Sequence, residues 1–154
     1  MKKSSLIVGA LFCLVGFSAH AETVEADAQG NLTAEERESI ANLLAREYTA
    51  QAQKLNPNAK LSAEAGRAFY LKKVKVGDKE IACSSCHTDN PKETGKHMDT
   101  EKPIKPLAIR ANPERFSNRE KTESNFSKHC RDLYEKDCSA QDKGDYLMYL
   151  LTLK

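Results

Sequence analysis

The amino-acid sequence predicts an all-α fold. Apolar residues recur at helical spacing in four separate stretches, and residues that commonly cap helices precede them. No stretch alternates polar and apolar residues well enough to predict a strand. The chain has 154 residues, no Trp and only 6% aromatic residues, so we expect one domain with a modest core.

The first 21 residues have the form of a secretory signal peptide. Basic Lys2 and Lys3 precede an apolar run from Leu6 to Phe17, and Ala19-His20-Ala21 provides a small-x-small cleavage site. The apolar run is too short to span a bilayer, and the sequence holds no other comparable run. We therefore expect residues 1–21 to be removed during export to the periplasm, and the mature protein not to span a membrane.

The first helix lies in an N-terminal extension over residues 22–60. Thr33-Ala34-Glu35-Glu36 has the form of a capping box with Thr33 as the N-cap, and Asn56-Pro57 ends the segment. Between these signals, helical spacing is shown by Ile40, Leu43, Leu44, Glu47 and Tyr48.

The second helix should begin near Ser62 and precede a turn at Val74-Lys75-Val76-Gly77-Asp78. Within it, Gly66 would let another helix approach closely, and Tyr70 one turn later would fill the remaining gap. The expected partner is the C-terminal helix, through Tyr146, Leu147, Tyr149 or Leu150.

A proline-rich loop and two further helices follow. Residues 88–116 contain four of the five prolines and are expected to form an ordered loop. Ser117-Asn118-Arg119-Glu120 has the form of a second capping box, and Ser139 with Asp142 should cap the last helix. In the third predicted helix, the residues expected to face the core are Phe126, His129, Cys130 and Leu133. In the last helix they are Tyr146, Leu147, Leu150 and Leu151.

Between the second helix and the loop lies Cys83-Ser84-Ser85-Cys86-His87, a CxxCH sequence. This spacing is the one through which c-type haem is attached: the thiols add to the two vinyl groups, and the histidine ligates the iron. A thiol-redox CxxC normally follows a strand in a βαβ unit, which is not predicted here. A zinc site needs a second ligand pair, and Cys130 and Cys138 are too widely spaced to supply it. We therefore predict one covalent haem c on Cys83 and Cys86, with His87 as the proximal ligand.

The charge balance argues against nucleic acid as a partner. Of 24 basic and 22 acidic residues, the leader carries Lys2 and Lys3, which leaves 22 of each sign and no global basic field. Basic residues gather between positions 91 and 121, where eight bases accompany five acids. They either steer an acidic redox partner or are ordinary solvated loop charges. Lys105 and Arg110 are candidates to neutralise haem propionates, although nothing in the sequence selects them.

The crossing of two helices over a CxxCH haem resembles the class I cytochrome c fold, here with an extra N-terminal helix. More narrowly, the chain from residue 61 to 154 resembles the SHP-type monohaem cytochromes c. The similar segments are residues 83–89, 95–97, 106–108, 112–116 and 145–150, together with Cys130 and Cys138. The resemblance implies a histidine on one side of the iron and, on the other, an asparagine that leaves on reduction and opens a site for oxygen or nitric oxide. It also implies electron donation by a dihaem cytochrome c, with a membrane b-type cytochrome nearby.

One departure from that family changes the expected sixth ligand. The family's asparagine lies immediately before the first of the two extra cysteines, and this chain has His129 there. His129 follows His87 by 42 residues and shares the stripe of Phe126, so we expect it to point inward and reach the opposite haem face. Imidazole is a far stronger iron ligand than an amide, which predicts a low-spin bis-histidine haem. The alternative is a core histidine hydrogen-bonded to backbone.

Two other residues are weaker candidates for the sixth ligand. Met98 would require a sharp fold of the loop over the haem, and Asn112 precedes Pro113, which favours a turn.

Cys130 and Cys138 remain after haem attachment, and an even number of spare cysteines in an exported protein favours a disulfide. A pair of free reactive thiols is the alternative.

The sequence therefore predicts an exported monohaem cytochrome that carries single electrons between redox proteins, with no catalytic residue. A haem protein that binds or reduces oxygen or nitric oxide at a labile sixth position is the second interpretation.

Overall fold

Residues 34–153 are described by a computed structural model. The helices are α1 (Ala34–Gln53), α2 (Ala63–Leu71), α3 (Ser84–His87), α4 (Arg119–Tyr134) and α5 (Ala140–Thr152). The strands are β1 (Val74–Val76), β2 (Lys79–Ile81), β3 (Gly95–Lys96) and β4 (Pro103–Ile104). The predicted leader over residues 1–21 and the predicted N-cap Thr33 lie outside the described residues. The all-α prediction is confirmed, because the strands are short additions to a helical frame.

The two small hairpins correct the expectation of no strand. β1 pairs antiparallel with β2, and β3 pairs antiparallel with β4. In β1 the half-buried Val74 and Val76 alternate with exposed Lys75, which is the pattern of a strand with one covered face. The predicted turn at residues 74–78 therefore begins as a strand and turns only at Gly77-Asp78. A run of three residues is too short for this alternation to be recognised in the sequence.

The close contact between α2 and α5 confirms the prediction made from Gly66. A Cβ at Gly66 would collide with the carbonyl oxygen of Asp145, so only glycine permits this approach. Tyr70, one turn later, is fully buried and lies 6.3 Å from the Tyr146 ring and 5.8 Å from the Tyr149 ring. The Asp145 side chain also accepts a hydrogen bond of 2.7 Å from the backbone N–H of Ser62, the N-cap of α2. These contacts fix the crossing of the two helices.

Helix α1 packs against α5 through a face rich in alanine. Its buried residues are Ala41, Leu44, Ala45, Tyr48 and Ala52. Leu43, although its spacing helped to predict the helix, is 42% exposed. Tyr48 on this face lies against Gly144 of α5, where an added Cβ would come within 3.1 Å of the Tyr48 Cβ. Leu43 is left at the edge of this face.

The N-cap of α4 is one residue later than predicted. Asn118, not Ser117, accepts a hydrogen bond of 2.8 Å from the backbone N–H of Lys121. The Ser117 hydroxyl instead donates to the carbonyl oxygen of Glu114 in the preceding loop. The cap of α5 is as predicted, with Ser139 and Asp142 forming a capping box. Both asparagine and serine are favourable caps, so the sequence alone could not separate two neighbouring candidates.

A partly buried ionic cluster joins α1, α4 and α5. Glu123 accepts hydrogen bonds from the Tyr48 hydroxyl at 2.6 Å and from the Lys143 ammonium at 2.7 Å. The Lys143 ammonium also lies 5.7 Å from the Tyr48 ring centroid. Burial disfavours the charge on Glu123, but the hydrogen bonds from Lys143 and Tyr48 outweigh it and hold the pKa below its ordinary value. Arg119 pairs with Glu47 in addition, which ties the start of α4 to α1.

We predict that Glu123→Gln lowers the free energy of unfolding by about 1–2 kcal/mol at neutral pH, because charge-assisted hydrogen bonds are lost from a partly exposed site. A carboxylate with a depressed pKa contributes stability above its ordinary pKa, here 4.5, and loses it as the pH falls through the folded value. The difference between variant and wild type should therefore shrink below pH 4.5 in denaturant titrations. Glu101→Gln, in the exposed pair with Lys96, is the control and should change stability by less than about 0.5 kcal/mol. An equal effect of both substitutions would contradict the prediction.

Candidate haem site

The CxxCH segment forms one helical turn. Cys83 has helical dihedral angles, and its carbonyl oxygen accepts hydrogen bonds from the N–H groups of Cys86 and His87 at 3.3 and 3.1 Å. Residues three apart lie on the same side of a helix, so the turn presents both thiols together. Within residues 34–153 both thiols are free and half-buried. Burial raises the pKa of Cys83 to about 11, which keeps it a neutral thiol at neutral pH.

Tyr70 connects this turn to the helix crossing. Its hydroxyl donates to the carbonyl oxygens of His87 at 3.1 Å and of Thr88 at 2.5 Å. Thr88 has φ 63° and ψ 167°, a conformation almost restricted to glycine that costs of the order of 1–3 kcal/mol. The Tyr70 hydroxyl therefore secures a strained backbone directly after the histidine.

Gly95 also packs against the CxxCH turn. A Cβ there would collide with the carbonyl oxygen of Cys86 and the Cα of His87. Strand β3 can lie against the CxxCH turn only because residue 95 has no side chain. The turn is thus held both by the Tyr70 hydroxyl and by the close packing of β3.

Three cationic or basic groups from different segments come together near this turn. Burial is the largest cause that lowers the pKa of His87, to about 4, and the charges of Arg115 and His129 lower it further. His87 comes from α3, Arg115 from the long loop and His129 from α4. A neutral imidazole is the form that binds a metal ion. The fold therefore places Arg115 and His129 within electrostatic range of His87.

The orientation expected for His129 is only partly correct. Phe126 and Cys130 are buried and Leu133 is half-buried, but His129 is exposed at the edge of their stripe. Burial nevertheless lowers its pKa, Lys128 and Arg115 act in the same direction, and Asp132 opposes them. The imidazole is therefore at an open surface but crowded by protein on one side.

A disulfide follows His129 immediately. Cys130 and Cys138 are bonded, with their Cα atoms 5.6 Å apart. Arg131 makes two further hydrogen bonds to the Asp137 carboxylate, at 3.0 and 2.9 Å. The end of α4 is thus held to the segment that leads into α5.

The other candidates for the sixth ligand have different surroundings. Met98 is 39% exposed at the tip of the loop. The side-chain amide of Asn112 donates to the carbonyl oxygen of Pro106 at 2.9 Å, which is the role of a turn residue. His97 accepts hydrogen bonds through Nδ1 from the N–H groups of Asp99 and Thr100, so this nitrogen organises the tip of the loop.

Two features of the site were not predicted from the sequence. The Tyr134 hydroxyl is buried without a hydrogen-bond partner among the described residues, and burial and Cys83 raise its pKa to about 12. Arg115 is half-buried, whereas Lys105 and Arg110, the cations suggested from the sequence, are exposed and pair with Glu114 and Glu38. Nothing in the sequence distinguishes Arg115 from its basic neighbours, because all of them lie in the same charged loop.

The donor set fits a haem c. Two adjacent free thiols, a neutral imidazole next to them and a second imidazole nearby are the groups that such a haem requires. The partly buried guanidinium of Arg115 is a polar group that a haem could satisfy. No group of three or more His, Cys, Asp or Glu side chains within residues 34–153 could hold a metal ion by itself. No helix in the same range is long and apolar enough to cross a membrane.

Comparison with known proteins agrees with this site. Residues 56–150 match the family model of a domain of unknown function, DUF1924. Cytochrome c'' of Methylophilus methylotrophus is 43% identical over 114 residues, which are 73% of this chain and 79% of that protein. The chain belongs to the SHP-type monohaem cytochromes c.

Solved structures of this cytochrome family share the fold. A solution structure of the same cytochrome c'', a protein described for its haem-ligand detachment, has a TM-score of 0.68 and 42% identity, covering 74% of this chain and 94% of that one. Oxidised SHP, an oxygen-binding cytochrome c, has a TM-score of 0.63 and 31% identity, covering 71% of this chain and 94% of that one. The chain is therefore an all-α haem cytochrome, and its relatives imply a c-type haem.

We predict that Tyr70→Phe lowers the free energy of unfolding of the haem-loaded cytochrome by about 1–3 kcal/mol, because two carbonyl oxygens next to a strained residue lose their donor. Tyr134→Phe is the matched control, since its hydroxyl has no partner among residues 34–153. It should leave stability within about 0.5 kcal/mol of wild type or slightly above it. Guanidinium chloride titrations of both variants test this, and a larger loss in Tyr134→Phe would be the contrary result.

Proposed function

We propose that this protein is an exported monohaem c-type cytochrome that carries single electrons between redox proteins of the periplasm. Cys83 and Cys86 would hold the haem through thioether bonds, with His87 as the proximal ligand and His129 as the distal ligand. The main support is the CxxCH turn, which presents two free thiols beside His87, and His129 from a separate helix lies within electrostatic range of this histidine. When bound, the haem supplies a reversible one-electron couple.

The chain's own residues would keep the iron site constant during electron transfer. Tyr70 and Gly95 hold the turn that carries His87. At its two ends, α4 is held by the Glu123 cluster and by the Cys130–Cys138 disulfide. A rigid ligand frame lowers the reorganisation that accompanies a change of charge. We propose no catalytic residue.

A second candidate function is the binding of oxygen or nitric oxide after His129 leaves the iron. It is favoured by two relatives, one an oxygen-binding cytochrome c and the other known for haem-ligand detachment. Both functions require the same haem and differ in what His129 does on reduction.

We predict that the protein, expressed with a haem-attachment system, gains the mass of one haem and gives the pyridine haemochrome spectrum of a c-type haem. The double variant Cys83→Ala/Cys86→Ala should have the mass of the bare polypeptide, since no thiol remains to form the thioether bonds. A bare mass for the wild type, with correct export, would remove the basis of the proposal.

We predict that His129→Ala converts a low-spin oxidised spectrum into a high-spin one and speeds carbon monoxide binding to the reduced protein at least tenfold, because the distal imidazole is lost. His97→Ala is the matched control and should leave the spectrum unchanged, since this histidine organises the loop tip. A low-spin spectrum in His129→Ala would exclude it as the ligand. In the wild type, a reduced spectrum unaffected by carbon monoxide supports electron transfer, and one that shifts supports gas binding.

A further inference from the structure

Tyr48 differs from the other tyrosines because its hydroxyl is hydrogen-bonded to a carboxylate. All five tyrosines of the chain lie within residues 34–153. The Tyr48 hydroxyl donates to the Glu123 carboxylate at 2.6 Å, the length of a charge-assisted hydrogen bond. The Tyr70 hydroxyl donates to carbonyl oxygens instead, and the Tyr134 hydroxyl has no partner in the described part of the chain. A carboxylate within hydrogen-bond reach can take the proton of a phenol, whereas a backbone carbonyl cannot.

The surroundings of this pair bury the phenol ring but leave the carboxylate open to water. Tyr48 is 1% exposed, whereas the Glu123 side chain is 36% exposed. Lys143 also donates to Glu123, at 2.7 Å, and this bond helps to outweigh the effect of burial on the carboxyl pKa. A phenol that has lost an electron is a far stronger acid than any carboxylic acid, so Glu123 still accepts its proton. A proton released by Tyr48 therefore has an acceptor on the side that faces solvent.

A chain of aromatic rings joins Tyr48 to the segment that carries His87. The Tyr48 ring centroid lies 6.0 Å from that of Phe126, which lies 5.6 Å from that of Tyr146. The Tyr146 centroid lies 6.3 Å from that of Tyr70, whose hydroxyl donates to the carbonyl oxygen of His87 at 3.1 Å. Rings at these separations are in direct contact. Electrons cross a protein more readily in short steps between such rings than in one long step, so this chain offers a route from Tyr48 to the haem site.

We propose that Tyr48 is a redox-active residue that gives up one electron through this chain of rings when hydrogen peroxide oxidises the reduced haem protein. This inference rests on the proposed haem attachment. Of the two electrons that one peroxide molecule takes up, one comes from the iron and the other from Tyr48. The Tyr48 O–H bond breaks and its proton passes to Glu123. The O–O bond of the peroxide breaks as well, and with two protons from solvent it leaves as two water molecules. Oxidised iron and a neutral Tyr48 radical remain.

The burial of Tyr48 determines what this radical does. Its ring hardly reaches the surface, so it cannot couple with a tyrosine of another protein molecule. The oxidising equivalent therefore stays in the interior until a reductant supplies an electron. Tyr48 would thus act as a store for the second oxidising equivalent of peroxide, which would otherwise be spent on the haem or on exposed side chains.

The test uses reduced, haem-loaded protein that is mixed with an equimolar amount of hydrogen peroxide, frozen and measured by electron paramagnetic resonance. We expect a tyrosyl radical in the wild type, and a yield per haem that falls by about fivefold or more in Tyr48→Phe. Glu123→Gln should lower the yield by about threefold or more, because an amide accepts the hydrogen bond but does not take the proton. Tyr134→Phe is the matched control and should stay within about 1.5-fold of wild type, since no group stands ready to take its proton.

A second series places the same substitutions in His129→Ala, in which the iron is open to peroxide whether or not His129 leaves it. Visible spectra show in each series whether peroxide oxidises the iron. Oxidised iron without a radical, or equal yields with and without Tyr48, overturns the proposal, and so does iron that peroxide oxidises in neither series. Mass and haemochrome spectra separate the two levels of failure. Protein that carries covalent haem but fails these tests refutes only the role of Tyr48, whereas protein without haem refutes the proposed function itself.

Discussion

The contact of α2 with α5 at Gly66 is the constraint on which the rest of the structure depends. Backbone meets backbone there, so the position of α2 is set by atoms that cannot move aside. Tyr70 follows one turn later, and its buried ring between Tyr146 and Tyr149 places its hydroxyl at the end of the CxxCH turn. The orientation of His87 is therefore determined by a helix crossing in a different part of the chain.

The second proposed ligand is held in another way. His129 lies on a helix whose start is tied to α1 by charged groups and whose end is closed by a disulfide. Between these points the helix contacts the core through Thr122, Phe126 and Cys130, spaced four residues apart. The segment that carries His87 is fixed by close packing. The helix that carries His129 is fixed by an ion pair near its start and a disulfide near its end.

Sequence reasoning succeeded where a residue type has one structural use. Gly66 predicted a close helix crossing, Ser139 with Asp142 predicted a helix start, and the CxxCH spacing predicted the cofactor class. It failed where two neighbours offered similar chemistry, as with Ser117 and Asn118, or where burial depended on distant packing. Arg115 is half-buried and precedes Phe116, whose ring contacts Phe126 and Tyr146, and no local pattern reveals either fact. The strain at Thr88 was equally hidden, because threonine ordinarily avoids that conformation.

The carbonyl oxygen of Pro91 accepts hydrogen bonds from both Leu107 and Ala108, each at 2.9 Å. These two bonds close residues 92–106 into a loop that contains Met98, whereas Asn112 and Arg115 follow the closure. Strand β3 belongs to this loop, and its Gly95 lies against the CxxCH turn. The residues between β3 and β4 can therefore vary in length and charge while the closure at Pro91 and the contact at Gly95 stay in place.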